Sequence, residues 1–322
     1  MNTHIVRIIV LIGLSLGLLL APAYGQASDN KKKKMSIAID GETIADLDFT
    51  ISEELDGRYL TINSGSLNRK TVKGSGKLVK RTLPAPAFHK LSAARGVAVV
   101  IGGTNQIEIK ADDNLIDYVV AEASNGTLTV KISDKIKSIS NSHVTVRIPN
   151  NGKLDAIRAS SGASVRPEQA LKATRMEIDL SSAASLDLAL KADYCSIALS
   201  SGATMKCVAE MGECDINASS SSKLTASVQS RSIDVDLSSG AKVTLSGSCK
   251  KLEADLSSAS RLDASQLEVS GTVEAEASSG ADVSVNCSGS LVARASSGAD
   301  IDYTGDCSAD VRTSSGGSVK KR

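Results

Sequence analysis

The sequence predicts an all-β fold: a right-handed parallel β-helix, a solenoid with coils of about 19 residues. Three observations predict it. First, a doublet of small polar residues returns nine times, beginning at Ser160, Ser181, Ser200, Ser219, Ser238, Ser257, Ser278, Ser296 and Ser314. The intervals are 21, 19, 19, 19, 19, 21, 18 and 18 residues. A period near twenty marks a repeat that buries its apolar face only against the next copy. Second, the positions three before each doublet are all apolar: Ile157, Ile178, Ile197, Ile216, Val235, Ala254, Ala275, Ala293 and Val311. So are those five after: Val165, Leu186, Met205, Leu224, Val243, Leu262, Val283, Ile301 and Val319. Third, polar residues alternate with these, as at Arg158, Asp179, Asn217, Asp236, Asp255 and Glu276. That is the period-two pattern of short strands with one face inward.

A helical repeat fails on the same data, because the apolar spacing is not 3.6 and each glycine inside a helix costs about 1 kcal/mol. The fixed Leu/Asn pattern of leucine-rich repeats is absent. In a parallel β-helix each coil holds two or three strands separated by tight turns. Nine coils at about 4.8 Å each make a rod of roughly 43 Å. The doublet, as in Ser160-Ser161-Gly162-Ala163, supplies small side chains and a residue tolerant of positive φ at a corner. Stacked hydroxyls are expected to hydrogen-bond along the column.

Ahead of the repeats, Met1 to Gly25 carries one positive charge, Arg7, and an apolar run from Ile8 to Ala21. With Ala23 and Gly25 at the cut, it reads as a secretory signal, and no later run is long and apolar enough to span a membrane. The expected layout is a signal at 1–25, an N-terminal extension at 26–73 and the solenoid at 74–322. Within the solenoid, 74–150 holds less regular coils and 151–319 the nine repeats. The expected location is the periplasm, the outer-membrane surface or the extracellular space.

Loss of Arg7 takes the formal charge from +1 to 0. The clusters Lys31–Lys34 (+4) and Lys320-Lys321-Arg322 (+3) leave the body between them at 0 − 7 = −7. An acidic body with no Trp and two Phe argues against a nucleic-acid partner. The Lys31–Lys34 run is expected to be a solvated linker.

Six cysteines occur: Cys195, Cys207, Cys214, Cys249, Cys287 and Cys307. None forms a CxxC, so a zinc site is not expected. Cys195 and Cys214 both lie five before a doublet and should stack on neighbouring coils, close enough for a disulfide. A small core residue in a ladder explains them equally well.

The three histidines, His4, His89 and His143, belong to no catalytic motif, and no nucleotide-binding loop is present. No cofactor or metal is expected. Lys242, Arg261, Asp282 and Asp300 share the position four after the doublet and form a candidate outer binding stripe, with signs expected to alternate along the face. The enzymatic alternative is a polysaccharide lyase or hydrolase on the same scaffold. Catalytic clefts on solenoids need long loops, and intervals of 18 to 21 leave no room for one.

Several segments before the repeats carry a resemblance. Phe88-His89-Lys90-Leu91 is followed by Val97-Ala98-Val99-Val100-Ile101, then Asn125-Gly126-Thr127-Leu128-Thr129-Val130, then Val144-Thr145-Val146-Arg147-Ile148-Pro149. With the Ser-Ser-Gly repeats after them, this order resembles the head-GIN-domain family of auto-transporter adhesins over roughly Gly74 to Val319. The resemblance implies an exported β-solenoid that binds an unknown glycan or surface protein, and it carries over no catalytic residue.

Overall fold

The structure is a computed structural model that describes residues 31–39, 42–54, 57–61 and 70–322, with side chains from residue 71 onward. The expected signal at Met1 to Gly25 lies outside the described residues. Contacts divide the chain between Arg69 and Lys70 into two units.

In the first unit, β1 (Lys31–Ile39), β2 (Glu42–Glu54) and β3 (Gly57–Thr61) form an antiparallel sheet. Lys31 to Lys34 are therefore strand rather than linker. They pair with the alternating segment Asp48-Phe49-Thr50-Ile51, from Lys31↔Ile51 to Lys34↔Asp48.

The second unit opens with β4 (Lys70–Lys73), β5 (Leu78–Leu83), β6 (Lys90–Ala94), β7 (Ala98–Ile101) and β8 (Ile107–Asp112). Next come β9 (Val119–Ser124), β10 (Thr127–Ile132), β11 (Ile136–Ser140) and β12 (Val144–Ile148). Strands β6 and β7 form a complete coil that stacks in parallel on the first Ser-doublet coil. Its corner is Arg95-Gly96, at φ 62° and 72°. It lacks the serine doublet, which is why the repeat pattern does not reveal it. On its other side lie β10 and β12, flanked by the antiparallel strands β9, β8 and β5, which close that end. Asn125-Gly126, both at positive φ, makes the tight β9–β10 turn. The buried Asp112 carboxylate accepts the Gly76 and His143 backbone N–H groups, each at 2.7 Å, and so ties three loops of this cap together.

The repeats follow as β13 (Ala156–Ala159), β14 (Ser164–Pro167), β15 (Leu171–Leu180), β16 (Ser185–Leu199), β17 (Thr204–Ala218) and β18 (Lys223–Leu237). They continue as β19 (Lys242–Leu256), β20 (Arg261–Ala277), β21 (Asp282–Cys287), β22 (Ser290–Ala295), β23 (Asp300–Thr304), β24 (Ser308–Thr313) and β25 (Ser318–Lys321). Both expected apolar columns are in register. Ile178↔Ile197↔Ile216↔Val235 pair on successive strands, as do Leu186↔Met205↔Leu224↔Val243. Every member of the two columns is buried except Val311 and Val319, in the coil of β24 and β25.

Each central coil has one sharp corner and one soft one. Strands β16 to β20 run through the soft corner, where Asp193, Gly212 and Arg231 have no partner in the ladder. The 21-residue coil after Ser257 is absorbed by two bulges in β20, opposite Thr244–Ser246 and opposite Cys249–Lys251, and the shorter coil that follows shifts register between Ala264 and Glu268.

Candidate functional site

The sharp corner is the Ser doublet, and it needs two left-handed residues rather than one. In every coil the second and third turn positions have positive φ: Ser161 52° and Gly162 72°, Ser182 49° and Ala183 60°, Ser220 52° and Ser221 60°. That is the type I′ turn, whose twist suits the strands on either side. The fourth residue donates its N–H back to the first carbonyl, from 3.2 Å at Ser260–Ser257 to 2.8 Å at Gly317–Ser314. The fourth side chain points inward, so it is Ala in most coils. Where it is Ser222 or Ser260, the hydroxyl donates to Leu199 O at 3.3 Å or Leu237 O at 3.2 Å.

Successive corners are joined through the backbone. The third residue's N–H donates to the next coil's second-serine carbonyl, as in Gly162–Ser182 at 2.9 Å and Gly202–Ser220 at 3.0 Å. The expected ladder of doublet hydroxyls is not formed: among the described residues no hydrogen bond joins doublet side chains. In the first eight turns the first serine is half-buried and the second points into solvent, where water satisfies it.

On one side of this corner column runs an open trough. Its upper stretch, about 460 Å³, is lined by Asp179, Ala198, Asn217, Asp236 and Asp255, with Ser200, Ser219, Ser238 and Ser257 as its rim. A second stretch of about 320 Å³ continues from Asp255 through Glu276 and Ser278 to Arg294 and Arg312. Beside it stand Asp215, Asp234, Glu253 and Glu274, which stack with the same register. Partial burial, then the neighbouring Asp236 and Glu253, push the Asp234 carboxyl above its usual range. Asp255 is raised by burial, then by Asp236 and Glu276. Among the described residues no Lys or Arg is ion-paired with Asp236 or Asp255. The flanks are neutralised instead: Arg158 pairs with Glu177 at 2.9 Å, which lowers the Glu177 pKa, and Lys251 pairs with Glu253 at 2.9 Å.

The candidate stripe lies on the other side of the same corner. Lys242↔Arg261, Arg261↔Asp282 and Asp282↔Asp300 are successive ladder partners, with Lys223 stacked before them. Their signs do not alternate. Lys223, Lys242 and Arg261 form a basic block that meets the acidic block of Asp282 and Asp300 at one contact, Arg261 Nε to Asp282 Oδ2 at 3.1 Å. The expectation failed because column membership was read without the order of its members. The trough was missed because its concavity comes from the backbone path. Its chemistry was already visible in the residue two before each doublet, which is polar in every repeat but the one with Ala198.

Cys195 and Cys214 are ladder partners, both buried, and all six cysteines are thiols in the structure. A hydrogen bond with Cys195 and burial push Cys214 well up, and burial pushes Cys207 up to about 12. His89 and His143 are exposed and face no nucleophile. Among the described residues no group of three or more His, Cys, Asp or Glu could hold a metal ion, and no helix is long and apolar enough to cross a membrane.

No curated protein matches the chain. Solved structures do. A putative adhesin from Parabacteroides merdae superposes with a TM-score of 0.62 at 16% identity, covering 79% of this chain and 99% of that one. A putative adhesin from Parabacteroides distasonis gives 0.60 at 17%, covering 79% and 100%. A putative lipid binding protein from the same species gives 0.59 at 17%, again covering 79% and 100%. At such identity these likenesses speak to the fold alone. The family model for the putative auto-transporter adhesin, head GIN domain, matches residues 87–227 and 196–307, two overlapping registers of one repeat. Those matches span most of the solenoid, and the chain belongs to the head GIN domain family of putative auto-transporter adhesins.

Proposed function

We propose that this is an exported, non-catalytic surface protein that binds an extended polar ligand, a glycan or a protein segment, along the trough. One observation carries the reading: two open concavities that meet at Asp255 follow the same column of coils from Asp179 to Ser314, and among the described residues of the solenoid no loop roofs them. An enclosed, largely apolar cleft is the usual form of a small-molecule or catalytic pocket. An open groove with a serine rim, carboxylates in its middle and Arg294 and Arg312 at one end instead offers many weak, wet hydrogen bonds to a polymer that crosses several coils. The stripe of Lys242, Arg261, Asp282 and Asp300 is a second contact surface beside it. A lipid, the ligand named for one Parabacteroides structure, would instead need an enclosed apolar groove, and this trough is open and carries Asp236, Asp255 and four serines in its lining.

Catalysis by a carbohydrate-active enzyme is the alternative. It requires acid and base groups held at different pKa values. The raised carboxyls, Asp234 and Asp255, stand on an open face, and among the described residues of the solenoid no loop shields them from water. The test is a glycan array and whole-cell adhesion assay on the chain from Gln26 onward. Binding by the parent should be lost in Asp236→Ala/Asp255→Ala and weakened in Lys242→Ala/Arg261→Ala. Turnover of a polysaccharide panel that vanishes in Asp282→Asn/Asp300→Asn or in the trough variant would overturn the reading.

A further inference from the structure

We propose that the outer edge of β24 is a self-association surface, where two copies pair antiparallel about a two-fold axis through Val311. Strand β24 is in register with β22 on one edge, and among the described residues no strand is in register with its other edge. All six of its residues are exposed. Val311 is 41% exposed although its column partners Ala293 and Ala275 are fully buried. Among the described residues of the solenoid, the opposite end is covered by β8, β9, β10 and β12, whereas no strand is in register over the β24 end.

A row of unpaired N–H and C=O groups is a template for another strand, and natural edges block it with proline, bulges or charged side chains. Strand β24 has no proline and no bulge, and its two charges are of opposite sign. It carries one acid and one base, Asp310 and Arg312, two residues apart on one face and ion-paired at 3.3 Å. This pattern complements itself. Antiparallel pairing centred on Val311 sets Asp310 opposite Arg312 of the second copy, and Arg312 opposite that copy's Asp310. The same register buries the two Val311 side chains and sets Ala309 opposite Thr313. A two-fold contact uses one patch twice, so self-complementary charge is what selects a second copy as the occupant. Strand β25, by contrast, ends in Lys320 and Lys321, the edge-blocking charge that β24 lacks.

The test is sedimentation equilibrium of the chain from Gln26 onward, up to about 1 mM. The parent should show a twofold rise in mass with concentration. Asp310→Arg alone and Arg312→Asp alone should stay monomeric where the parent is dimeric, because like charges then face each other. An equimolar mixture of the two variants should dimerise, since opposite charges meet again in the mixed pair. If either single variant melts below the parent, the double variant Asp310→Arg/Arg312→Asp restores complementarity within one chain and should dimerise. A parent that stays monomeric throughout, single variants that dimerise like the parent, or a mixture and double variant that both fail would overturn the proposal.

Discussion

Substituting alanine at two glycines separates backbone strain from steric exclusion, because the nine corners share one conformation. At Gly202, φ is +72° and a Cβ would meet nothing within 4 Å. Its cost is the left-handed backbone term alone, about 1–2 kcal/mol. Lower entropy of the unfolded chain offsets about 0.4–1 kcal/mol of that. The net loss for Gly202→Ala should therefore be about 1 kcal/mol. Ala183 and Ala259 already occupy the equivalent position at φ 60° and 58°, so Ala183→Gly should be neutral or slightly stabilising. Gly247 is different, with φ +109° and a Cβ only 2.0 Å from the Val228 carbonyl oxygen. Val228 and Gly247 are ladder partners, so neither can retreat without breaking the β18–β19 pairing. Backbone strain of about 1–3 kcal/mol plus overpacking of about 1–3 kcal/mol puts Gly247→Ala near 4 kcal/mol. Urea titration followed by far-UV circular dichroism would compare the three variants. Equal losses for Gly202→Ala and Gly247→Ala, or a large loss for Ala183→Gly, would refute the assignment of one strained turn and one excluded volume.

Ile197→Asp places an unpaired charge between Ile178 and Ile216 and should cost several kcal/mol, spreading to adjacent coils; a melt like the parent's would show that the column is not core. In exported material, non-reduced peptide mass spectrometry should find Cys195 linked to Cys214. The two are ladder partners on adjacent coils, within reach of such a bond, and free thiols at both positions would disprove it. Asp234→Asn and Asp255→Asn should stabilise the protein at neutral pH. A carboxyl whose folded pKa is raised contributes stability fully below its usual 3.8 and loses it as pH rises through the folded value, so the gain should fade on acidification toward 3.8. A gain that does not change with pH would exclude the electrostatic origin.

What the sequence reveals and what it hides follow from the same geometry. Parallel stacking sets residue n beside its counterpart one coil on, so a column can be read once a single marker recurs. The Ile197 and Leu224 columns needed nothing more. The β6–β7 coil lacked the marker, since Arg95-Gly96 achieves the same two positive φ values with different residues. The hydroxyl ladder failed for another reason. At a type I′ corner the backbone already satisfies the links between coils, and side chains at left-handed positions are thrown outward. The trough required the path of the chain between the soft corner and the sharp one, which residue types alone do not give.

The order of charges along the two sides of the corner is itself an argument for where a ligand sits. Facing like charges in a ladder are destabilising, and opposite ones contribute roughly 0.2–1 kcal/mol. Selection for stability alone would produce contacts such as Arg261–Asp282 at each step. Along the trough, Asp236 instead faces Asp255, and Asp255 faces Glu276. The raised carboxyl pKa values at Asp234 and Asp255 register that repulsion together with burial. The same column holds Arg158 and Arg294, and the neighbouring face holds Lys251, so the backbone does not exclude a cation there. Like charges stacked at a cost to stability, on a groove that no loop of the described solenoid covers, are the physical reason for proposing that a ligand binds on this face.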